Sequence, residues 1–235
     1  MTSLEPVNYA DGELALTGWL ARPAGPARAA IVVFPTIMNS NPAIERRARM
    51  LADAGYLAMI ADFYGEPVDS FESVAPLADK LRSSAEHFRA RLRAALAVLR
   101  SHPDAAGLPM GAVGYCLGGQ AVLEIARDGA DVEAVVSFHG LLQTQAPATP
   151  GSKKARILVC HGDADPLAPR DQVMAFWQEM DAAGAHWHFH SYSGVRHGFT
   201  DPGSDERDLD AVAYDASADR QSWAAMLSLF DEVFG

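Results

Sequence analysis

The residues with the clearest chemical potential in this sequence lie around Cys116. Segment 114–119, Gly-Tyr-Cys-Leu-Gly-Gly, follows a short apolar run and precedes a helical pattern. Glycines two positions before and after a central residue permit a sharp turn from strand to helix that exposes the central side chain. A thiol at a helix start lies near free N–H groups, which favour the thiolate. The pattern predicts a nucleophilic Cys116.

Two loops further along the chain supply the base and the orienting acid that such a nucleophile requires. The apolar run 156–160 leads into a loop with two carboxylates, Asp163 and Asp165, and the run 186–192 leads into a glycine-flanked loop with His197. Nucleophile, acid and histidine follow one another in the order found in α/β hydrolases. The residues alone leave both carboxylates open as the acid.

The elements that must position these groups alternate along the chain. Strand patterns are predicted at 7–10, 13–21, 29–34, 57–61, 110–114, 132–138, 156–160 and 186–192, and helical patterns at 42–55, 81–99, 117–127, 170–183 and 213–234. Asp11-Gly12 joins the first two strands as a hairpin turn. Alternating strands and helices indicate an α/β fold with a mostly parallel central sheet, helices on both faces and an N-terminal antiparallel hairpin. We expect one domain over residues 1–235.

Composition narrows the class of partner. Lys+Arg 19 against Asp+Glu 30 gives a net charge of −11, which disfavours nucleic acid and anionic membranes as partners. Only two cysteines occur and the N-terminus carries no apolar signal core, so we expect a cytoplasmic protein. Cys160 lies inside an apolar strand pattern and is interpreted as a core residue.

The sequence resembles the dienelactone hydrolase family, the cysteine-nucleophile branch of the α/β hydrolases, nearly from end to end. The matching motifs are the Gly-Tyr-Cys-Leu-Gly-Gly turn, Asp-Phe-Tyr at 62–64, His-Gly-x-x-Asp from His161, and Gly-x-x-His-x-Phe around His197. The resemblance implies that Cys116 is the nucleophile, His197 the base and Asp165 the acid, with Asp163 as the second choice.

The resemblance also implies an oxyanion hole and a set of substrate contacts. Backbone N–H groups of Ile37 and Leu117 occupy the family's oxyanion positions. The candidate substrate-binding residues are Thr36, Tyr64, His139, Phe199 and Asp201. His139 is equally well explained as a structural histidine, and Tyr64 as a residue that packs a loop.

Two departures from the family pattern bear on the substrate. Thr36 stands where relatives that act on dienelactone carry a glutamate beside the thiol, and Asp201 stands where they carry an arginine that holds the substrate carboxylate. We therefore expect a substrate other than dienelactone, with neutral esters preferred over anionic ones. The alternative is that Lys80, Arg82 or Arg196 holds a substrate carboxylate.

Three alternating histidines, His186, His188 and His190, invite a metal interpretation. We expect no metal there, because a central strand would pack both of its faces and no carboxylate or cysteine completes the set. We likewise expect no cofactor.

The sequence as a whole predicts a hydrolase that cleaves a small-molecule carboxylic ester, lactone or thioester through an acyl-enzyme on Cys116. Two alternatives remain, a non-catalytic protein of hydrolase fold that binds a small molecule, and a thiol-dependent protease. A complete set of thiol, acid and histidine argues against the pure binder.

Overall fold

A computed structural model describes residues 2–151 and 155–235. The predicted domain of residues 1–235 also includes Met1 and residues 152–154, which lie outside the described residues. The strands are β1 (Leu4–Asp11), β2 (Leu14–Ala21), β3 (Ala30–Phe34), β4 (Leu57–Ile60), β5 (Met110–Tyr115), β6 (Ala134–Phe138), β7 (Arg156–Gly162) and β8 (His186–Tyr192). The helices are α1 (Pro42–Asp53), α2 (Phe71–Leu81), α3 (Ala85–Arg100), α4 (Leu117–Asp128), α5 (Arg170–Ala183) and α6 (Ala216–Phe234).

The described strands form one sheet in the order β1-β2-β4-β3-β5-β6-β7-β8. Strands β1 and β2 form an antiparallel hairpin, and β2 pairs with β4 in the antiparallel direction. All other neighbours are parallel, from β4 through β3 to β8. The predicted α/β-hydrolase architecture with its N-terminal hairpin is confirmed. Because parallel strands end at one edge, the loops after β5, β7 and β8 meet there.

The central strands are continuously apolar because helices cover both faces of the sheet. In β3, Val32 and Phe34 belong to the core on the side of α2, α3, α4 and α5, while Ile31 and Val33 belong to the core on the side of α1 and α6. The period of two along each strand feeds both cores at once. The sheet is therefore a rigid platform for the loops at its edge.

The segment before α3 differs from the sequence prediction, which placed a helix only over its second half. The structure forms two helices there, α2 and α3. Pro76 inside α2 is a signal against a helix, but the Ser70 hydroxyl accepts from the Ser73 N–H and the Ser73 hydroxyl accepts from the Ser70 N–H. This reciprocal cap fixes the start of α2, and Ser84 caps α3 separately by accepting from the His87 N–H.

Strand β8 corrects a second expectation. It is the edge strand of the sheet and not a central one. His186, His188 and His190 are exposed along it, while Trp187 and Phe189 face the core beside α5. The argument that both faces of this strand are packed was therefore wrong.

Candidate active site

Cys116 occupies a strained turn between β5 and α4. Its φ is +56°, a left-handed value that is uncommon for a residue with a side chain. The turn is possible because its neighbours are glycines. A Cβ on Gly114 would lie 1.8 Å from the Gly118 carbonyl oxygen, and one on Gly118 would lie 2.0 Å from the Phe34 carbonyl oxygen. The close approach of these backbones therefore requires glycine at both positions.

His197 lies against the Cys116 thiol and changes its acidity. Burial raises the pKa of Cys116, but the charge and hydrogen bond of His197 and two backbone N–H groups lower it, and the net shift is downward. Burial lowers the pKa of His197, but the Cys116 thiolate and the Asp165 carboxylate raise it to about 10. The two shifts together favour a thiolate paired with an imidazolium.

The carboxylate that meets His197 is Asp165. Its Oδ2 lies 2.7 Å from His197 Nδ1, and its Oδ1 accepts from the Leu167 N–H at 2.8 Å. Both Asp165 and His197 are buried. Asp163 points elsewhere and forms a two-pronged ion pair with Arg170, at 2.6 and 2.9 Å. The two carboxylates left open by the sequence are thus separated by geometry.

The predicted oxyanion positions lie near the thiol. The backbone N–H groups of Ile37 and Leu117 help to lower the pKa of Cys116. Leu117 is the first residue of α4, so its N–H is one of the free donors at a helix N-terminus. Ile37 lies in the loop after β3. Two N–H groups from separate segments of the chain therefore lie near the Cys116 thiol.

The loop that carries Ile37 is fixed by a buried carboxylate. Asn39 has a φ of +59°, and its Nδ2 donates to Asp62 Oδ1 at 2.8 Å. Asp62 Oδ2 accepts from the Thr17 N–H at 3.0 Å, so the same carboxylate holds β2 and the Ile37 loop together. Asp62 of the Asp-Phe-Tyr motif thus stabilises the loop that carries the Ile37 N–H group.

Of the predicted substrate-binding residues, Tyr64 and Thr36 bond to the loop that carries Ile37. Tyr64 is buried and its hydroxyl donates to the Ile37 carbonyl oxygen at 3.0 Å. The Thr36 hydroxyl accepts from the Met38 N–H and from Asn41 Nδ2, each at 3.3 Å. Both side chains therefore hold the loop in its conformation.

His139 and Phe199 are buried beside the candidate site. Phe199 is completely buried and packs on His139, with the ring centroids 5.3 Å apart. His139 is 2% exposed, and both of its ring nitrogens have partners in the protein, the Cys116 N–H and the Thr200 hydroxyl. That these two side chains contact the substrate stays a prediction, while their burial and partners show that both also pack beside the candidate site.

Asp201 does not present a free carboxylate. Its Oδ2 pairs with Arg207 Nη2 at 2.6 Å, and its Oδ1 accepts from the Gly203 N–H at 2.9 Å. The expected repulsion of anionic substrates is weakened by this pairing. Of the three alternative cations, Lys80 and Arg196 are exposed, whereas Arg82 is partly buried and its charge acts on Tyr64.

A buried polar chain beside the site was missed by the sequence analysis. Arg47 pairs with Asp219 and donates to the Thr200 carbonyl oxygen at 2.7 Å. All three residues are buried, next to His139. The sequence held one signal for this chain, since Arg47 lies on the same helical face as the apolar residues Ile44 and Leu51 of α1.

A groove of about 1050 Å³ opens beside the first turn of α4. Gln120 lines it, and its N–H donates to the Cys116 carbonyl oxygen at 3.1 Å. Arg82, Leu142 and Phe176 line other parts of the groove. Cys116, Asp165 and His197 do not line the groove, and Gln120 is its lining residue nearest to Cys116 in the sequence.

The described residues include no group of three or more His, Cys, Asp and Glu side chains arranged to hold a metal ion. Within 2–151 and 155–235, no helix has the length and apolar character needed to cross a membrane.

Several known proteins are similar to this chain. A family model described as the dienelactone hydrolase family matches residues 16–234. A probable 2-oxo-3-(5-oxofuran-2-ylidene)propanoate lactonase from Bradyrhizobium sp. is 29% identical over 196 residues, which is 77% of each chain. The protein m3DLH is 35% identical with a TM-score of 0.92, and the match covers 100% of this chain and 99% of the other. P91, a dienelactone hydrolase-like promiscuous phosphotriesterase from metagenomic libraries, is 34% identical with a TM-score of 0.93 over the same shares.

Proposed function

This chain belongs to the dienelactone hydrolase family and is a carboxylic ester hydrolase, and we propose that it cleaves an ester, lactone or thioester through an acyl-enzyme on Cys116. The observation that carries the proposal is the contact of 2.7 Å between Asp165 Oδ2 and His197 Nδ1, on two loops at the sheet edge where Cys116 also lies. The lowered pKa of the thiol and the raised pKa of His197 support a thiolate that is ready to attack.

In the first half of the reaction, Cys116 Sγ forms a bond to the carbonyl carbon of the substrate. The carbonyl oxygen becomes an oxyanion that accepts hydrogen bonds from the Ile37 and Leu117 N–H groups. Such donors are often the largest single catalytic contribution, and loss of one costs about 3 kcal/mol. His197 gives its Nε2 proton to the leaving alkoxide or thiolate as the bond to carbon breaks, which leaves a thioester on Cys116.

In the second half, the neutral His197 removes a proton from water. The hydroxide attacks the thioester carbon, the same two N–H groups hold the new oxyanion, and the carbon–sulfur bond breaks to release a carboxylic acid. Cys116 leaves as the thiolate, and His197 is again an imidazolium. Asp165 holds His197 with Nδ1 protonated, so that Nε2 faces the sulfur throughout.

The groove beside α4 is the proposed place for the part of the substrate remote from the cleaved bond. It begins at Gln120, one turn after Cys116, and its lining combines apolar side chains with amides and one arginine, Arg82. We further propose that residues 1–235 form a single domain, which is supported by the continuous sheet.

The proposal is tested with a panel of substrates on the wild type and on Cys116→Ala. The panel holds a neutral aryl ester, its carboxylate-bearing analogue, a lactone, a thioester and a phosphotriester, the last because the similar P91 is described as a phosphotriesterase. We expect thiol-dependent hydrolysis of the ester, lactone or thioester, and the mass of one acyl group on the peptide that contains Cys116. Equal turnover by Cys116→Ala, or an adduct on another residue, contradicts the proposal.

The matched ester pair tests the charge of the pocket. Because Arg207 already pairs with Asp201, we expect at most a modest preference for the neutral member, less than about tenfold in kcat/KM. A strong preference for the anionic member that weakens with added salt would identify a cation in the pocket, and Arg82→Gln would show whether that cation is Arg82.

A further inference from the structure

We propose that His139 is a positioning residue of the reaction, which ties the backbone of Cys116 to the loop that carries His197. The inference rests on the proposed role of Cys116 as the nucleophile. It assigns His139 no contact with the substrate.

The first tie reaches the strained residue itself. His139 Nδ1 accepts from the Cys116 N–H at 3.1 Å, and the Phe138 carbonyl oxygen accepts from the same N–H, also at 3.1 Å. The backbone donor would therefore keep a partner without the imidazole. The imidazole adds a second hydrogen bond to the Cys116 N–H, from a different direction. This bond helps to hold the φ of +56° at Cys116, which sets where the sulfur lies relative to the Ile37 and Leu117 N–H groups.

The second tie reaches the loop of the proposed base. His139 Nε2 lies 2.9 Å from the Thr200 hydroxyl, and Thr200 is three residues beyond His197. The Thr200 carbonyl oxygen is held in turn by Arg47, which pairs with Asp219 in the interior. A continuous path of buried hydrogen bonds thus runs from α6 through the His197 loop to the Cys116 backbone.

The hydrogen bonds define the state of the ring. Because Nδ1 accepts from an N–H group, the proton of the neutral ring is on Nε2, which donates to the Thr200 hydroxyl. Burial and the charge of His197 keep the pKa of His139 well below its usual range, so the ring stays neutral. It also packs edge-on against His197, with centroids 5.0 Å apart.

A purely structural histidine would fill space beside Phe199 and Tyr115 and would be replaceable by an apolar side chain of similar size. The positioning role predicts a different outcome, since the two polar ties and not the volume would matter. The variant His139→Asn distinguishes the structural role from the positioning role. Asparagine Oδ1 is bonded to Cγ, as Nδ1 is in histidine, and it accepts a hydrogen bond from the Cys116 N–H.

The experiment compares His139→Leu, His139→Asn and Thr200→Val with wild type. Thr2→Val is the matched control, since it makes the same side-chain change at a hydroxyl that bonds Asp53, outside the candidate site and its supporting loop. Four quantities are measured, namely kcat, KM, the rate at which iodoacetamide alkylates Cys116, and the thermal unfolding midpoint. The alkylation rate needs no substrate, so it tests the inference even if Cys116 proves not to carry the hydrolysis.

We expect His139→Leu to lower kcat and the alkylation rate together by up to about 100-fold, with KM little changed, because small displacements of reacting groups have effects of that size. His139→Asn should recover most of the loss. Thr200→Val should lower both rates about fivefold, and should have no further effect when combined with His139→Leu.

Three results would overturn the inference. One is a folded His139→Leu with wild-type kcat and alkylation rate. Another is His139→Asn as impaired as His139→Leu. If His139→Leu does not fold, Thr200→Val decides the question, and rates equal to those of Thr2→Val would contradict the proposal.

Discussion

The two cysteines of this chain belong to one sheet, Cys116 just after β5 and Cys160 inside β7, and their surroundings differ in kind. Cys160 is fully buried, and burial raises the pKa of its thiol to about 12. Cys116 meets a buried imidazolium and two backbone N–H groups, and its pKa falls below the ordinary value. Burial by itself thus makes a thiol inert, and only donors and a positive charge aimed at the sulfur reverse that effect.

The strongest test of this contrast removes each thiol in turn. Cys116→Ala should abolish thiol-dependent turnover, with a loss of up to about a millionfold by analogy with removal of a triad nucleophile. Cys160→Ala should leave kcat/KM within about twofold and lower the free energy of unfolding by about 1 kcal/mol, as a small core truncation does. The measurements are steady-state kinetics and chemical denaturation of both variants.

Alkylation followed by peptide mapping gives the same contrast without a substrate. Label on the Cys116 peptide is expected in the native protein, with the Cys160 peptide labelled only after unfolding. Preferential labelling of Cys160 in the folded protein, accompanied by loss of activity, would reverse the assignment.

The second test asks which carboxylate, Asp165 or Asp163, orients His197 and stabilises its positive charge. Asp165→Asn should lower kcat by up to about ten-thousandfold, because the imidazole then loses the partner that fixes its tautomer and stabilises its positive charge. Asp163→Asn removes only a partly exposed ion pair with Arg170 and should change kcat by less than about threefold, since exposed pairs contribute little.

Circular dichroism on both aspartate variants would show that each is folded. If Asp163→Asn were the more damaging of the two folded variants, the acid would have been assigned to the wrong residue.

The third and smallest effect is the response to pH. Activity requires the thiolate and the imidazolium together, so kcat/KM should rise as pH increases through the lowered pKa of Cys116 and fall as pH increases through the His197 pKa of about 10. Well below the lower pKa and well above the upper one, kcat/KM changes by about tenfold for each pH unit. The alkylation rate of Cys116 should show the lower limb alone, at a pH below that of an ordinary thiol.

A control for this profile is the Asp165→Asn variant. Since the Asp165 carboxylate helps to raise the pKa of His197, its removal should move the upper limb of the profile to lower pH. An upper limb that stays in place would show that another group sets it.

The sequence predicted that Cys116, Asp165 and His197 follow strand ends, because each lies beside a strong local pattern. Glycines at 114 and 118 mark the turn at Cys116, and the parallel topology then brings the loops after β7 and β8 to the same edge. The fold was predictable from the alternation of strands and helices, which is also a local property. The helix α2 was missed because Pro76 opposes it locally, whereas the cap at Ser70 and burial of Val74 decide it.

The rest could not be predicted because it depends on contacts between distant residues. The residues around Asp163 and Asp165 do not by themselves show that Arg170 pairs with the first and His197 with the second, and only the family resemblance favoured Asp165. Asp201 reads as a free carboxylate until its pairing with Arg207 is seen. The two ring nitrogens of His139 bond to the Cys116 N–H and to the Thr200 hydroxyl, two groups that only the folded chain brings together.

The origin of the site on three strand ends also sets when it comes into being. Asp165 and His197 are 32 positions apart in the sequence, and both follow Cys116. The turn at Cys116 therefore leaves the ribosome well before these two residues. During that interval the thiol has neither imidazole nor carboxylate beside it and reacts as an ordinary cysteine. We expect the thiol to acquire its lowered pKa only when β8 has paired with β7. The onset of rapid alkylation at Cys116 therefore reports the completion of the sheet.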